Sequence, residues 1–234
     1  MSNSPLVVHT RISPNSTNPR GHKIDRITIH HVAGDLTVES LGATFADPAR
    51  QASSNYGVGS DGRIGMYVEE ENRSWCTGGE KTVNGMTGRD NDFRAVTIEV
   101  ANDGRGPDWH VSDAALEATI ALCADICQRN GIPELRFTGD ITGNLTMHKW
   151  FAYTLCPGPY LESKFPYIAA EVNKRLQAGK DETKAPKVEA VPGTENKLYC
   201  VQLGSFRVRS NAEKQLERVK KAGFEDAFIT EKTT

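Results

Sequence analysis

The chain has 234 residues, 38% of them hydrophobic and 25% charged, which is enough to bury an ordinary core as one large domain with a small appendage. A formal net charge of -2 excludes a general electrostatic attraction to nucleic acid or anionic lipid, and no stretch approaches the length of a membrane span. The start, MSNSPLVVHTRISPNS, has no basic segment leading into an apolar one, so the expectation is a chain made in the cytoplasm without a signal peptide, or leaving by another route. Five cysteines form an odd, widely spaced set that reads as reduced thiols, with room for one on a metal.

Along the chain, residues 25–31 (DRITIHH) alternate apolar and polar side chains with β-branched enrichment, which predicts a strand ending in a turn and carrying two histidines at its end. A capped helix is expected over 37–45, then a hairpin with arms 55–58 and 63–68 around Ser60-Asp61-Gly62. The Gly-, Thr- and Asn-rich stretch 74–92 reads as a long binding loop. Residues 95–100 (AVTIEV) suit a central strand, yet include Glu99. Ser112 caps an amphipathic helix ending at Asn130-Gly131. A short strand over 136–139 is expected to lead into an irregular segment, 140–158, before a last helix over 165–176.

These elements predict an α/β domain over 1–176, with its core in 25–176, in which helices flank a mixed central β-sheet. Residues 177–196 are charged and Pro-containing, as expected of a solvated linker. A strand over 198–206, a helix over 211–222 and the start of a strand at 227–230 make 197–234 a small, partial α+β C-terminal unit.

Six histidines are present, and three residues stand out as a set: His30 at a strand end, and His148 and Cys156 in one irregular segment. Two imidazoles and a thiolate suit tetrahedral zinc and leave a fourth position for a water, the arrangement of a hydrolase. The spacing alone also allows unrelated histidines. His31 points away from His30 across the pleat and reads as a hydrogen-bonded structural histidine. Glu99 needs a partner or a wet cleft, because a buried unpaired carboxylate costs several kcal/mol; a salt bridge to Arg94 or Arg136 is one reading, a catalytic role the other. Cys123 and Cys127, four apart on one helix, read as small core residues.

Four runs, ITIHHVAG, SSNYGVGSDGRI, AVTIEVANDG and MHKWFAYTLCPGPYL, in this order and spread over residues 25–176, resemble the type 2 N-acetylmuramoyl-L-alanine amidase family, which includes peptidoglycan recognition proteins and phage lysozyme-type amidases. The resemblance implies a zinc-dependent amidase that cuts the bond between the muramic acid lactyl group and L-alanine of peptidoglycan. It implies zinc on His30, His148 and Cys156, Glu99 as general base, and Tyr56 and Thr154 beside the metal stabilising the oxyanion. Trp75, Asn102 and Trp109 are expected to contact substrate. Cys76 stands where many relatives have histidine, so a substrate contact there is expected to differ.

The tail LYCVQLGSFRVRSNAEKQLERVKKAGF resembles the first half of a SPOR domain, which implies an affinity for glycan strands. The partner expected throughout is peptidoglycan, with no nucleic acid and no membrane insertion, and the missing signal fits a phage endolysin released through a holin. Competing expectations are a non-catalytic recognition module and a cysteine hydrolase built on Cys156 and His148.

Overall fold

The computed structural model of the chain describes residues 3–79, 81–183, 209–221 and 227–230. Two compact units divide it, Met1–Ala185 and Pro186–Thr234. In the first, strands β1 (His9–Thr10), β2 (Ser16–Thr17) and β3 (Arg26–His31) precede helix α1 (Val38–Ala46). Strands β4 (Tyr56–Val58), β5 (Ile64–Met66) and β6 (Arg73–Ser74) follow, then helix α2 (Gly88–Arg94), strand β7 (Ala95–Val100), helix α3 (Asp113–Asn130), strand β8 (Leu145–Met147) and helix α4 (Pro159–Thr183). The main sheet has the order β1-β5-β4-β7-β3-β8, and β4, β7, β3 and β8 run parallel to one another; β2 and β6 form a separate ribbon.

The pleat sorts this sheet into two chemically different faces. Ile27 and Ile29 of β3, Ile98 and Val100 of β7, Tyr56 and Val58 of β4, and Leu145 and Met147 of β8 share one face by register and are buried. They pack against α3, whose Leu116, Ile120, Cys123 and Cys127 are buried, and α4, whose Leu161, Phe165, Ile168, Val172 and Leu176 follow a helical stripe. The opposite face carries Thr28, Thr97 and Thr146 in one row, all with no exposed surface. Buried hydroxyls need partners. Thr28 bonds Thr146 at 2.8 Å, Asn91 of α2 donates to Thr28 at 2.8 Å, and Ser74 meets Thr97 at 2.7 Å. His30 and Glu99 lie on this polar face, next along the same rows.

Local chemistry explains the boundaries. Thr37 caps α1 by accepting from Ser40, Ser112 caps α3 by accepting from Ala115, and α3 stops at Gly131, which sits at φ 65° where a side chain would be strained. Arg20 is a buried staple: its guanidinium donates to the carbonyls of Glu70, Asn72, Asp92, Phe93 and Ala95, and burial lowers its pKa to about 10.

Three expectations are corrected. Residues 136–139 form no strand; the edge strand is β8, nine residues later, and the Asn144 side chain instead bonds the backbone of Glu134 and Arg136. The 74–92 stretch is not all loop, because Thr87 and Asp90 form a capping box that starts α2. Helix α4 begins at Pro159, where proline needs no hydrogen-bond partner, and runs to Thr183 into the segment read as linker. The strand expected over 198–206 lies outside the described residues; the tail helix is α5 (Arg209–Lys221), and 227–230 are described without strand structure.

Candidate active site

The carboxyl ends of the parallel strands β7, β3 and β8 place three chemical groups side by side. His30 is the fifth residue of β3, and Glu99 is its register partner in β7. His148 follows directly on β8 and opens a short 3-10 turn, His148–Trp150. The chain then doubles back: Lys149 N–H donates to Cys156 O at 3.1 Å, and the Lys149 ammonium pairs with Glu162 of α4 at 2.6 Å, which brings Cys156 under His30. The ligand atoms of His30, His148 and Cys156 all lie within 4.8 Å of one another. The two imidazole centroids are 4.9 Å apart, and His30 Nδ1 is 3.6 Å from Cys156 Sγ.

The edge between His30 and Cys156 fits a tetrahedral zinc ion, and His148 lies within reach of the same centre. Zn–N of about 2.0 Å and Zn–S of about 2.3 Å at a tetrahedral angle give an N···S edge of roughly 3.5 Å, close to the His30–Cys156 separation. His30 is 1% exposed, and burial together with His148 and His31 holds its pKa well below 6.5, so it offers a lone pair. Its other nitrogen, Nε2, stands 3.4 Å from Thr77 Oγ1, a contact that orients the ring. Burial and Glu99 push the Cys156 thiol well above its ordinary range, and His31 N–H donates to its sulfur at 3.4 Å.

Glu99 completes the cluster. The Cys76 thiol reaches its Oε1 at 3.8 Å, whereas Oε2 is buried with no hydrogen-bond partner. Burial pushes the Glu99 pKa up to about 8, against weaker opposing effects of Cys76 and Arg50. The salt-bridge reading fails among the described residues, since Arg94 pairs with Asp25 and no ion pair reaches Glu99. Thr154 Oγ1 accepts the Cys156 N–H at 3.1 Å, which leaves its own hydroxyl proton uncommitted.

The family model described as N-acetylmuramoyl-L-alanine amidase matches residues 20–159, more than half of the chain. The chain belongs to this family. It is an N-acetylmuramoyl-L-alanine amidase. A SPOR domain model matches residues 195–234. Among solved structures, the amidase resembles the Staphylococcus aureus hydrolase AmiA in complex with its ligand, at 14% identity and a TM-score of 0.57 over 78% of this chain and 88% of that one. It also resembles a selenomethionine derivative of AmpD, at 19% identity and 0.54 over 72% and 99%. A mutant endolysin from Bacillus subtilis aligns at 16% identity and 0.52 over 70% and 97%. These likenesses establish the mixed α/β fold. No curated protein sequence matches.

The remaining expected residues of the amidase have partners of their own. Tyr56 does not stand beside His30, His148 and Cys156: it pairs with Ile98 on the apolar face, while Gly57 is the partner of Glu99. Its hydroxyl donates to Glu70 at 2.7 Å and accepts the Ser4 N–H at 2.9 Å, in a buried network with Arg129. Trp75 is turned to β2, its indole N–H donating to Thr17 at 3.0 Å. Asn102 and Trp109 do meet, the Asn102 amide donating to Trp109 O at 2.7 Å, but they gather around His31, whose ring lies edge-on to Trp109 at 5.4 Å. His110 pairs with Asp103 at 2.6 Å.

Two residues of the site have no signature in the sequence. Asp92 is buried and its Oδ2 accepts the N–H groups of Cys76 and Thr77 at 3.0 and 2.8 Å, setting the loop that delivers Cys76 to Glu99 and Thr77 to His30. Gly79, at φ 102°, lets this loop pass Phe151: a Cβ there would sit 2.3 Å from the Phe151 carbonyl oxygen. The nearest signal for this arrangement is the Thr87-x-x-Asp90 box, which places α2 and hence Asp92.

Proposed function

We propose that the amidase is a zinc enzyme with the metal on His30, His148 and Cys156 and with Glu99 as general base, and that it degrades peptidoglycan as an endolysin of phage or prophage origin. The observation that carries this reading is the convergence of those three ligand atoms within 4.8 Å beside an unpartnered carboxylate oxygen. Zinc, when bound, supplies Lewis acidity toward a water and toward the carbonyl of the scissile amide.

The chain's own residues do the rest. Glu99 Oε1 is steadied by Cys76, so Oε2 is the oxygen that takes the proton of the attacking water and returns it to the departing amine of L-alanine. Burial favours the protonated form of Glu99, which holds the proton on the carboxyl between its two transfers. Thr154 donates its free hydroxyl proton to the oxyanion, a neutral bond weaker than a charged one. Trp75, Asn102 and Trp109 are the proposed substrate-contacting residues: Trp75 lies in the loop before Cys76, and Asn102 with Trp109 stands beside His31.

The domain division proposed is an amidase domain over 1–176, a connecting segment over 177–196 into which α4 projects, and a wall-binding segment over 197–234 supported by the SPOR match. Among the described residues no helix is long and apolar enough to cross a membrane. Incubation with purified peptidoglycan tests the reading. L-alanine amino termini should appear, disappear with a chelator and return with zinc; new reducing sugar ends would instead mean glycan cleavage and refute it.

A further inference from the structure

A second set of metal-ligating atoms adjoins the first. Atoms of His30, Cys76 and Glu99 lie within 4.8 Å of one another, and His30 belongs to both sets. Both nitrogens of His30 are engaged, Nδ1 at the Cys156 sulfur and Nε2 at Thr77. That leaves Cys76 Sγ, 3.8 Å from Glu99 Oε1, and the buried, unpartnered Glu99 Oε2. Metal–sulfur and metal–oxygen bonds of about 2.3 and 2.1 Å give a ligand–ligand edge of roughly 3.6 Å, close to the separation of this pair. A thiolate and a carboxylate also bring two negative charges, matching a divalent ion, and no ion pair reaches Glu99 among the described residues.

We propose that Cys76 and Glu99 bind a second, thiophilic divalent cation next to the catalytic zinc, and that this ion inhibits the amidase by occupying its general base. The Cys76 S–H proton leaves to solvent, the thiolate and carboxylate bind the ion, and solvent fills the remaining positions. With Glu99 committed to the ion, nothing at this position accepts the proton of the attacking water. Two protein ligands bind more weakly than three, so this ion is the weaker of the two. The proposal rests on the zinc and general-base roles given above.

Cadmium titration of the full chain tests it, with Cys200→Ser in every protein so that this residue outside the described ones contributes no thiolate. Thiolate-to-cadmium absorption and equilibrium dialysis should give about two equivalents for this parent, the second at least tenfold weaker. Cys76→Ser, which preserves the backbone bond to Asp92 and a donor to Glu99, should lose only the weaker equivalent, and Cys156→Ser the tighter. In the parent, cadmium beyond the first equivalent should protect Cys76 from alkylation, and excess zinc should lower peptidoglycan cleavage at least tenfold relative to the same protein at one equivalent of zinc, whereas Cys76→Ser, whatever its own rate at one equivalent, should show no further loss. One equivalent in the parent, two in Cys76→Ser, or no protection of Cys76 overturns the proposal. Tight binding that survives Cys156→Ser overturns the three-ligand reading instead, so the two fail separately.

Discussion

Replacing Asp92 with asparagine should flatten the pH dependence of the amidase's stability on the acid side. Asp92 has no exposed surface; its Oδ2 accepts two backbone N–H groups and its Oδ1 is buried without a partner. Burial raises its pKa from 3.8 to about 6, and the bonds from Thr77 and Cys76 offset this only in part. Between these values the folded chain keeps a proton that the unfolded chain has released. The contribution is therefore fully present below pH 3.8 and is lost as the pH rises through about 6. At roughly 1.4 kcal/mol per pH unit the loss comes to about 3 kcal/mol. Asparagine keeps a carbonyl oxygen for the two amides and cannot ionise. Urea unfolding in metal-free buffer, followed by the fluorescence of Trp75, Trp109 and Trp150, should show the variant gaining about 2.4 kcal/mol on the wild type from about pH 4 to about pH 7. Parallel stability curves for the two proteins would refute the assignment.

Glu99→Gln should lower kcat by about 10²–10⁴-fold with KM and zinc content little changed, measured on a soluble muramyl peptide. Tyr56→Phe should leave kcat near wild type while costing about 1–3 kcal/mol in urea, because Ser4 N–H and Glu70 each lose a buried partner. Arg20→Met should cost about 3–5 kcal/mol, since it strips one buried donor group from five carbonyls; a urea midpoint close to wild type would contradict the staple.

What was legible in the sequence is what local chemistry decides. The caps Thr37 and Ser112, the stop at Gly131 and the alternation in β3 and β7 all act through near neighbours, and their elements lie where they were expected within a residue or two. The misplaced strand is non-local. Residues 136–139 have strand-like composition, but β3 finds its edge partner in Leu145–Met147, and no local signal chooses between the two. Asp92 is invisible for the same reason, as its partners are backbone amides of a loop some 15 residues away that any sequence would supply.

Tyr56 illustrates the remaining gap. Its motif suggested a place beside the metal ligands, yet a shift of one residue in β4 register changes the face on which a side chain lies. Tyr56 pairs with Ile98, and the position opposite Glu99 belongs to Gly57, where a Cβ would come within 2.6 Å of Leu41 and 2.7 Å of the Tyr67 ring. No side chain from this strand position can thus stand beside Glu99, and the group that does reach the carboxylate, Cys76, comes from the loop after β6. Among the described residues, the polar face therefore draws the neighbours of Glu99 from loops at its carboxyl edge, with the strands supplying His30 and Glu99 themselves. That division makes the Tyr56→Phe and Cys76→Ser variants a matched pair: the first should act on stability alone, the second on metal binding and inhibition at a fold of unchanged stability.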